Sequence, residues 1–423
     1  MLDGVNVALG VSGSIAAVKV VELAHDLRRQ GAAVRGVMTE SAQGIIHPWA
    51  VEFATGNEVV TELTGRVEHV ELCGREGWAD VLLLAPATAN TVGKVASAVD
   101  DTPVTTCATT ALGADLPVVV APAMHEPMYD HPGVLEAIDR VESWGVDFVD
   151  PRIEEGKAKI ATEEAIVTAV ARATTEEMLA GRHVVVTAGS TAEAIDPIRI
   201  LTNRASGKTG RAVARACHVR GADVTVVHDG GDVHYADTVT VESAAEMRDA
   251  VLAAVGGDGV GSDGVGSDGV GSDGVGSDGD GGGDGGNEDG TAGATADALV
   301  SAAAISDYTV SEAEKKLRSG ESRTLELEPT PKLIDEVREA HPALPIVGFK
   351  AETSGDDEKM IEAARGILDR SDLAFVVAND ASVMGEDETR TLFVDSDDAI
   401  EFKGAKTALG AEIAARLASM IRD

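Results

Sequence analysis

The sequence predicts an α/β protein with two domains, each built on a doubly wound, Rossmann-like sheet. The chain has 423 residues, about two to three times the length of a usual domain. Short apolar runs alternate with amphipathic stretches, as buried parallel strands alternate with the helices that cover them. The alternation breaks off near residue 180 and then starts again. We therefore expect one domain at 1–180 and a second at 181–423.

The first half opens with a strand–helix–strand unit. The apolar run 5–11 turns at Ser-Gly-Ser, residues 12–14, into an amphipathic stretch, and a second apolar run covers 33–38. Two more buried strands are predicted at 81–85 and 117–121, and a proline follows each. Because ligands of open α/β sheets bind beyond the carboxyl ends of the strands, the loops after these runs are candidate binding segments.

Two helices and five strands are predicted in the rest of the chain. Thr162 is a candidate N-cap for a helix over 162–180, which Gly181 would end. A loop leading into a second helix covers 207–221. The predicted strands lie at 183–187, 222–228, 298–305, 345–349 and 373–378.

Residues 256–290 form a low-complexity tract in which Gly, Val, Gly, Ser and Asp repeat. The tract holds 17 of the 47 glycines, nine acids and no base. It contains no apolar run that can pack, so we expect a flexible acidic insertion within the second domain. A calcium-binding β-roll needs a nonapeptide repeat, and the period of five excludes it.

The net charge is −37 at pH 7, from 72 Asp and Glu against 35 Lys and Arg. This excludes a nucleic-acid clamp, which needs a basic face. Without the tract the net charge is still −28, and there are only 12 lysines against 23 arginines. Such a composition is typical of a protein from a salty cytoplasm, where salt screens self-repulsion. The alternative, an acidic patch for a basic partner, predicts local runs of acids, whereas these acids are dispersed.

The three cysteines, Cys73, Cys107 and Cys217, lie far apart in the chain. Their odd number and their spacing favour neither a disulfide framework nor a CxxC metal site. No apolar run approaches the roughly 18 residues of a membrane span. We expect a soluble protein of the reducing cytoplasm with no membrane partner.

Three loops of the first half carry motifs. They read SGSIAA at 12–17, APATANT at 85–91 and PAMHxxMY at 122–129, and His69 precedes the second. Together they resemble the flavin-dependent cysteine decarboxylases, in particular the decarboxylase half of the bifunctional phosphopantothenoylcysteine decarboxylase/phosphopantothenate–cysteine ligases of coenzyme A biosynthesis. The resemblance covers almost all of 1–160, and it implies a flavodoxin-like flavoprotein domain.

The resemblance implies FMN as cofactor and His69 as the catalytic histidine, which transfers a proton while the substrate thiol is oxidised. Oxidation of the thiol places an electron sink beta to the carboxylate, so that CO2 can leave. The alternative for His69 is an ordinary histidine on a half-buried helix. Helix capping and turn chemistry are the alternative for the hydroxyl groups among the FMN candidates. The residues where the family holds FMN are Ser12, Gly13, Ser14, Thr39, Ser41, Thr88 and Asn90.

The decarboxylase half departs from the bacterial pattern at two places. His125, after Met124, stands where bacterial members carry an asparagine that binds the substrate carboxylate, and an imidazole can still donate such a hydrogen bond. Bacterial members also carry a flap cysteine near residue 155, and this chain has none there. Lys157 and Lys159 in the same stretch are candidates for a substrate phosphate contact or a proton source, and a solvated flap is the alternative.

The second half, 182–423, resembles the ligase half of the same family, with the tract as an insertion. The matching run 186–210 ends in Gly-Lys-Thr-Gly, but Thr202 stands where a P-loop needs its first glycine, which excludes a Walker motif. Further matches lie at 302–308, 315–318, 329–332, 347–353 and 377–380.

The resemblance implies that CTP with Mg²⁺ activates 4′-phosphopantothenate to an acyl-cytidylate, releasing pyrophosphate, before the cysteine amine attacks. A cation must offset charge at the α-phosphate, and Lys316 matches the family's catalytic lysine. Asn203 matches the asparagine of the second half-reaction. The alternative interpretation of Lys316 is a lysine on a solvated loop. The alternative interpretation of Asn203 is an ordinary turn residue. The nucleotide-binding candidates are Asp307, Lys315, Lys316, Pro331, Lys332, Phe349 and Lys350, and no metal ligand is identified.

The stretch before the final strand also departs from the family pattern. Where family members carry lysines before the final strand, the stretch 365–370 offers only arginines, which leaves the triphosphate contacts undefined. One alternative is a ligase whose first domain has another flavin chemistry, and another is a regulatory flavin-binding protein without turnover. The sequence is compatible with either CTP or ATP as the nucleotide. We expect a homo-oligomer, with trimers of the flavin domain joined through dimers of the ligase domain.

Overall fold

The computed structural model describes residues 1–154, 157–257, 294–318, 320, 322–352, 356–380 and 388–421. Residues 258–290 of the predicted tract lie outside the described residues. Contacts divide the chain into two compact units, Met1–Ala180 with Arg215–Ala222, and Gly181–Ala214 with Asp223–Asp423.

The first unit is built on a five-stranded parallel sheet of order β2-β1-β3-β4-β6. This is the doubly wound order of flavodoxin-like folds, in which the strand order reverses between β1 and β3. A separate three-stranded antiparallel sheet has the order β5-β8-β7. The strands are β1 (Asn6–Val11), β2 (Ala33–Met38), β3 (Val81–Ala87), β4 (Val118–Pro122), β5 (Met124–His125), β6 (Asp147–Phe148), β7 (Arg152–Glu154) and β8 (Lys157–Lys159).

Helices cover both faces of the parallel sheet because its strands are apolar on both sides. Leu83 of β3 packs in one hydrophobic cluster with α1 and α9, and its neighbours Leu82 and Leu84 pack in another with α5 and α6. The helices are a 3₁₀ helix (Ile15–Lys19), α1 (Val20–Arg29), α2 (Glu40–Gln43), α3 (Pro48–Thr55), α4 (Glu68–Cys73), α5 (Ala89–Ala96), α6 (Pro103–Gly113), α7 (Glu126–Tyr129), α8 (Pro132–Glu142) and α9 (Glu163–Thr174).

The second unit has an eight-stranded sheet of order β13-β12-β9-β14-β17-β18-β19-β20. Its first six strands are parallel, and β19 and β20 are antiparallel additions at one edge. Two hairpins, β10–β11 and β15–β16, lie outside this sheet. The strands are β9 (His183–Thr187), β10 (Ala192–Asp196), β11 (Arg199–Thr202), β12 (Asp223–His228), β13 (Asp237–Thr240), β14 (Ala298–Ser301), β15 (Tyr308–Val310), β16 (Leu327–Pro329), β17 (Ile346–Glu352), β18 (Phe375–Asp380), β19 (Glu388–Val394) and β20 (Ala399–Ala405).

Five helices accompany this sheet within the described residues. Three of them, α11, α12 and α13, pack Val251, Val337 and Met360 into one hydrophobic cluster with the strands. The contact boundary given above falls within α10. The helices are α10 (Lys208–Val219), α11 (Ala244–Gly256), α12 (Leu333–Ala340), α13 (Asp357–Ser371) and α14 (Lys406–Ile421).

The structure corrects three details of the predicted elements. The helix predicted to reach residue 180 ends at Thr174, because Thr175 is extended, with φ of −107° and ψ of 142°. The strand predicted to reach residue 305 ends at Ser301, where the N–H of Ala303 instead donates to the hydroxyl of Thr187 at 3.1 Å. Two strands that were not predicted, β19 and β20, pair antiparallel at one edge of the second sheet, so that this sheet is mixed.

No helix in the described part of the chain combines the length and the apolar character that a membrane crossing requires.

Candidate active sites

Hydroxyl groups join three loops at the carboxyl edge of the first sheet. Ser12 follows β1, Pro86 lies near the end of β3, and Thr88 follows β3. The Ser12 hydroxyl donates to the carbonyl of Pro86 at 2.7 Å and accepts from the N–H of Thr88 at 3.0 Å. The Ser14 hydroxyl donates to the carbonyl of Ala123, after β4, at 3.2 Å. The loops after β1, β3 and β4 therefore form one connected surface.

The loop after β2 approaches the same surface. A Cβ atom on Gly13 would lie 2.6 Å from the Cβ of Ser41, so only glycine permits this approach. The hydroxyls of Thr39 and Ser41 lie 3.0 Å apart. The structure thus brings Gly13, Ser14, Thr39, Ser41 and Thr88 to one edge, beside the point where the strand order reverses.

Several of these hydroxyls also have the capping role that the sequence left open. Ser14 caps the 3₁₀ helix, Thr39 caps α2 and Thr88 caps α5, each by accepting a backbone N–H. Asn90 lies exposed in the first turn of α5. A hydroxyl oxygen has two lone pairs, so a capping hydroxyl keeps capacity for a ligand.

His69 lies half-buried in the short helix α4. Its Nδ1 atom is buried and has no hydrogen-bond partner among the described residues. A buried ring nitrogen without a partner is unfavourable, since the hydrogen bond it would make to water is lost. His69 is therefore suited to a partner that the described residues do not supply.

The small sheet β5-β8-β7 carries the candidate substrate residues. In its register His125 pairs with Lys157 and Met124 pairs with Ala158, while Lys159 pairs with Arg152. His125 is exposed, and the side chain of Lys157 lies outside what the structure describes. The candidates from two separate stretches thus lie on neighbouring strands.

A cavity of about 460 Å³ lies in the second unit. Four sequence-predicted residues line it, namely Asn203, Asp307, Phe349 and Lys350. Asn203 donates from its Nδ2 to the carbonyl of Ala304 at 2.8 Å, which fixes its amide at the cavity wall. The Asp307 carboxylate accepts from the Lys332 ammonium at 2.6 Å.

The lysine pair Lys315 and Lys316 lies on an exposed loop and is not among the described residues that line the cavity, and neither are Pro331 and Lys332. The loop is anchored one residue further on, at Leu317. Its N–H donates to the Asp196 carboxylate at 3.0 Å, and its carbonyl accepts from the Arg199 guanidinium at 3.0 Å.

Asp196 is an ionised anchor. Burial alone would raise the pKa of its carboxyl group, but hydrogen bonds from the N–H groups of Leu317, Ile198 and Arg199, and from the Arg199 guanidinium, lower the pKa to about 2. The side chain is fully buried.

Sequence reasoning missed part of the cavity wall. Lys406 and Thr389 lie outside the matching motifs, and Lys208 and Asn379 lie within them but had no predicted role. Asn379 carries a buried Oδ1 atom with no partner among the described residues. One feature of the sequence could have pointed to Lys406. It begins a helix in a chain with only 12 lysines, so each lysine is a stronger candidate for an anion contact. Within the described residues, no group of three or more His, Cys, Asp or Glu is placed to hold a metal ion.

Two family models match the chain. One described as Flavoprotein matches residues 1–175. One described as DNA/pantothenate metabolism flavoprotein C-terminal domain matches residues 179–260 and 290–421.

Similar proteins match along nearly the whole length. The coenzyme A biosynthesis bifunctional protein CoaBC of Thermococcus kodakarensis is 45% identical over 400 residues, covering 94% of this chain and 90% of that protein. The protein of the same name from Bacillus subtilis is 33% identical over 406 residues, covering 91% and 88%.

Solved structures are similar over parts of the chain. The FMN-dependent cysteine decarboxylase SpaF is 33% identical, with a TM-score of 0.37, over 41% of this chain and 100% of that one. The C-terminal domain of a coenzyme A biosynthesis bifunctional protein CoaBC is 24% identical, with a TM-score of 0.42, over 59% and 100%. Since relatives at 30% identity or more span over nine tenths of its length, the chain belongs to the family of CoaBC bifunctional proteins of coenzyme A biosynthesis.

Proposed function

We propose that this chain catalyses two consecutive steps of coenzyme A biosynthesis. The second unit would ligate cysteine to 4′-phosphopantothenate with CTP, and the first would decarboxylate the product, 4′-phosphopantothenoylcysteine, to 4′-phosphopantetheine. The observation that carries the proposal is the pairing in one chain of a hydroxyl-lined loop edge in one unit and a basic cavity in the other. The match to CoaBC proteins along both halves supports the same conclusion.

In the first unit, FMN would be held by Ser12, Gly13, Ser14, Thr39, Ser41, Thr88 and Asn90. The close approach of Gly13 to Ser41 and the reversal of strand order between β1 and β3 support this position, where flavodoxin-like folds bind FMN. FMN, when bound, supplies the two-electron redox chemistry that the protein's side chains lack.

The side chains around it would handle protons and orientation. His69 would take the thiol proton, since imidazole exchanges a proton near neutral pH. His125 would hold the substrate carboxylate by a hydrogen bond, in the place of the bacterial asparagine, with Met124 beside it. Lys157 and Lys159, on the strand paired with β5, would contact the substrate phosphate or replace the missing flap cysteine as proton source.

In the second unit, Lys316 would offset negative charge at the α-phosphate while the acyl-cytidylate and pyrophosphate form. Asn203 would position the intermediate for attack by the cysteine amine. Lys315, Pro331, Lys332, Phe349, Lys350 and Asp307 would contact the nucleotide. Mg²⁺ would be held mainly by the phosphates and water, as is usual for this ion at nucleotide sites.

The decisive experiment supplies phosphopantothenate, cysteine and CTP in molar salt and follows pyrophosphate and CO2. Both products are expected, with yellow protein whose absorbance reports bound flavin. Pyrophosphate without CO2 would contradict the decarboxylase assignment, and release of neither would contradict both. ATP in place of CTP tests the nucleotide preference.

We further propose a cytoplasmic homo-oligomer, in which the first unit forms trimers and the second forms dimers. Light scattering on the full chain in molar salt tests this arrangement. A monomer at enzyme assay concentrations would contradict it.

A further inference from the structure

The cavity of the second unit is basic although the chain is strongly acidic. Among its described lining residues, Arg204, Lys208, Lys350 and Lys406 are cationic and Asp307 is acidic. Three of the 12 lysines of the chain therefore converge on this one cavity. Lys350 is ion-paired with Glu352 at 3.5 Å, and a lining with four cations and one acid favours an anionic ligand.

Two of these lysines are brought together by the packing of two helices. Lys208 begins α10 and Lys406 begins α14. Four residues further along each helix, about one turn, a Cβ on Gly410 would lie 2.5 Å from the carbonyl oxygen of Ala212. The helix backbones therefore touch one turn after the lysines, and both lysines line the same cavity.

Two glycines beside Lys208 let two loops meet at the cavity wall. Gly189 and Gly207 both adopt left-handed backbone angles, with φ of +78° and +69°, and a Cβ on Gly207 would lie 2.8 Å from the amide nitrogen of Gly189. A Cβ on Gly207 would also lie 2.5 Å from the Arg211 guanidinium, and one on Gly189 would lie 2.7 Å from the carboxyl carbon of Asp229, so only glycine permits this packing.

We infer that Lys208 and Lys406 are a polyphosphate-binding pair, which takes the β- and γ-phosphates of the nucleotide. The identity of the ligand as a nucleotide rests on the proposed function, and the position of its phosphates rests on the cations that line the cavity. The arginines of 365–370, where the sequence left the triphosphate contacts undefined, are not among the described residues that line the cavity. Residues that are far apart in the chain thus supply the cations that this stretch does not.

The test measures binding of inorganic tripolyphosphate, of CTP and of cytidine to the full chain by calorimetry at one fixed salt concentration. Lys208→Gln and Lys406→Gln are each expected to weaken tripolyphosphate and CTP binding about tenfold, the loss of one charged hydrogen-bonding partner, and the double variant more. Cytidine binding is expected to stay unchanged. Lys208→Arg and Lys406→Arg, which keep the charge, are expected to bind tripolyphosphate within about threefold of the parent.

Lys403→Gln is the matched control, because Lys403 is 64% exposed, ion-paired with Glu401 and only three residues from Lys406. It loses the same charge and is expected to bind tripolyphosphate as the parent does. Unfolding midpoints show whether each variant is folded. If a glutamine variant does not fold, the arginine variants still test whether the positive charge is needed.

Unchanged tripolyphosphate binding in a folded double variant would overturn the inference, and so would an equal loss in Lys403→Gln or no binding by the parent. The proposed function is tested separately by pyrophosphate release from CTP by the parent. If the parent binds tripolyphosphate through these lysines but releases no pyrophosphate, the polyphosphate-binding pair is supported and the proposed ligase activity is contradicted.

Discussion

The carboxylate of Asp196 accepts a hydrogen bond from the backbone N–H of Leu317 at 3.0 Å, across 121 residues of sequence. Arg199, ion-paired with Asp196, donates to the carbonyl of the same residue. Both backbone groups of Leu317 are therefore held by one buried acid and its partner. Because Lys316 is the preceding residue, Asp196 and Arg199 fix the backbone position from which the side chain of the proposed catalytic lysine extends.

Asp196→Asn is expected to lower the rate of pyrophosphate release about 10- to 100-fold, since misplacing a catalytic group costs that much. The neutral amide keeps one acceptor oxygen, so its NH2 group must face two N–H donors, either those of Leu317 and the Arg199 guanidinium or the backbone N–H groups of Ile198 and Arg199. The charge of the ion pair with Arg199 is lost in both orientations, which weakens the hold on the loop. Substrate binding is expected to change little, so kcat falls more than KM rises. Steady-state kinetics with CTP, together with hydrogen exchange at 314–318, measure both effects.

Asp237→Asn is the control for this variant. Asp237 is exposed on β13, an edge strand of the sheet, and its replacement removes the same negative charge. It is expected to leave pyrophosphate release unchanged. Equal rates in the parent and in Asp196→Asn would show that the Leu317 anchor does not position the lysine.

The pH dependence of this anchor follows from the lowered pKa of Asp196. The pKa is about 2 in the folded chain, below the usual value of about 4, so the ionised carboxylate stabilises the fold above the usual pKa. That contribution is lost as the pH falls through the interval from about 4 to about 2. The gap in unfolding midpoint between parent and Asp196→Asn is therefore expected to narrow across this interval, and a constant gap would contradict the assignment.

His69→Asn is expected to retain bound flavin and to lose CO2 release by at least about 100-fold, the usual contribution of a general acid or base. Its Nδ1 atom is buried without a hydrogen-bond partner among the described residues, so the substitution breaks no hydrogen bond of that atom within this part of the chain. Flavin absorbance and CO2 release measure the two properties. His341→Asn, in the second unit, is the control and should decarboxylate normally. Loss of flavin together with activity would point to a structural role instead.

Replacing residues 258–293 by a six-residue Gly-Ser link is expected to leave both activities intact. The chain on either side of this stretch is already joined, because the N–H of Ala296 donates to the carbonyl of Val255 at 3.1 Å. A loop about six times shorter has less closure entropy to lose, worth about 1.5 kcal/mol of added stability. Denaturant unfolding and the two product assays test this, and loss of pyrophosphate release would assign the stretch a role in the ligase.

Raising salt from 0.1 M to 2 M is expected to raise the unfolding midpoint of the parent chain. With a net charge of −37, self-repulsion opposes folding at low salt, and salt shortens the screening length from about 10 Å to less than about 3 Å. Calorimetric scans in KCl measure the effect. A midpoint that is independent of salt would contradict adaptation to a salty cytoplasm.

The strand–loop positions were predictable because buried parallel strands are marked by continuous apolar runs. The runs at 33–38, 81–85 and 183–187 lie within or match β2, β3 and β9. The edge strand β20 was not predictable, since it is largely exposed and has no apolar run. The end of α9 was missed because the extended backbone of Thr175 ends the helix, whereas the helix-ending signal in the sequence is Gly181.

The sequence by itself determined the class of each half and the loops that follow its strands, because burial on both faces of a sheet requires apolar runs at fixed places in the chain. Only the tertiary structure decided which cations meet. Lys208 and Lys406 are 198 positions apart, and they line one cavity because Gly410 lets α14 touch α10 at Ala212. Such a contact depends on how two helices pack, and no local pattern in either helix encodes its partner.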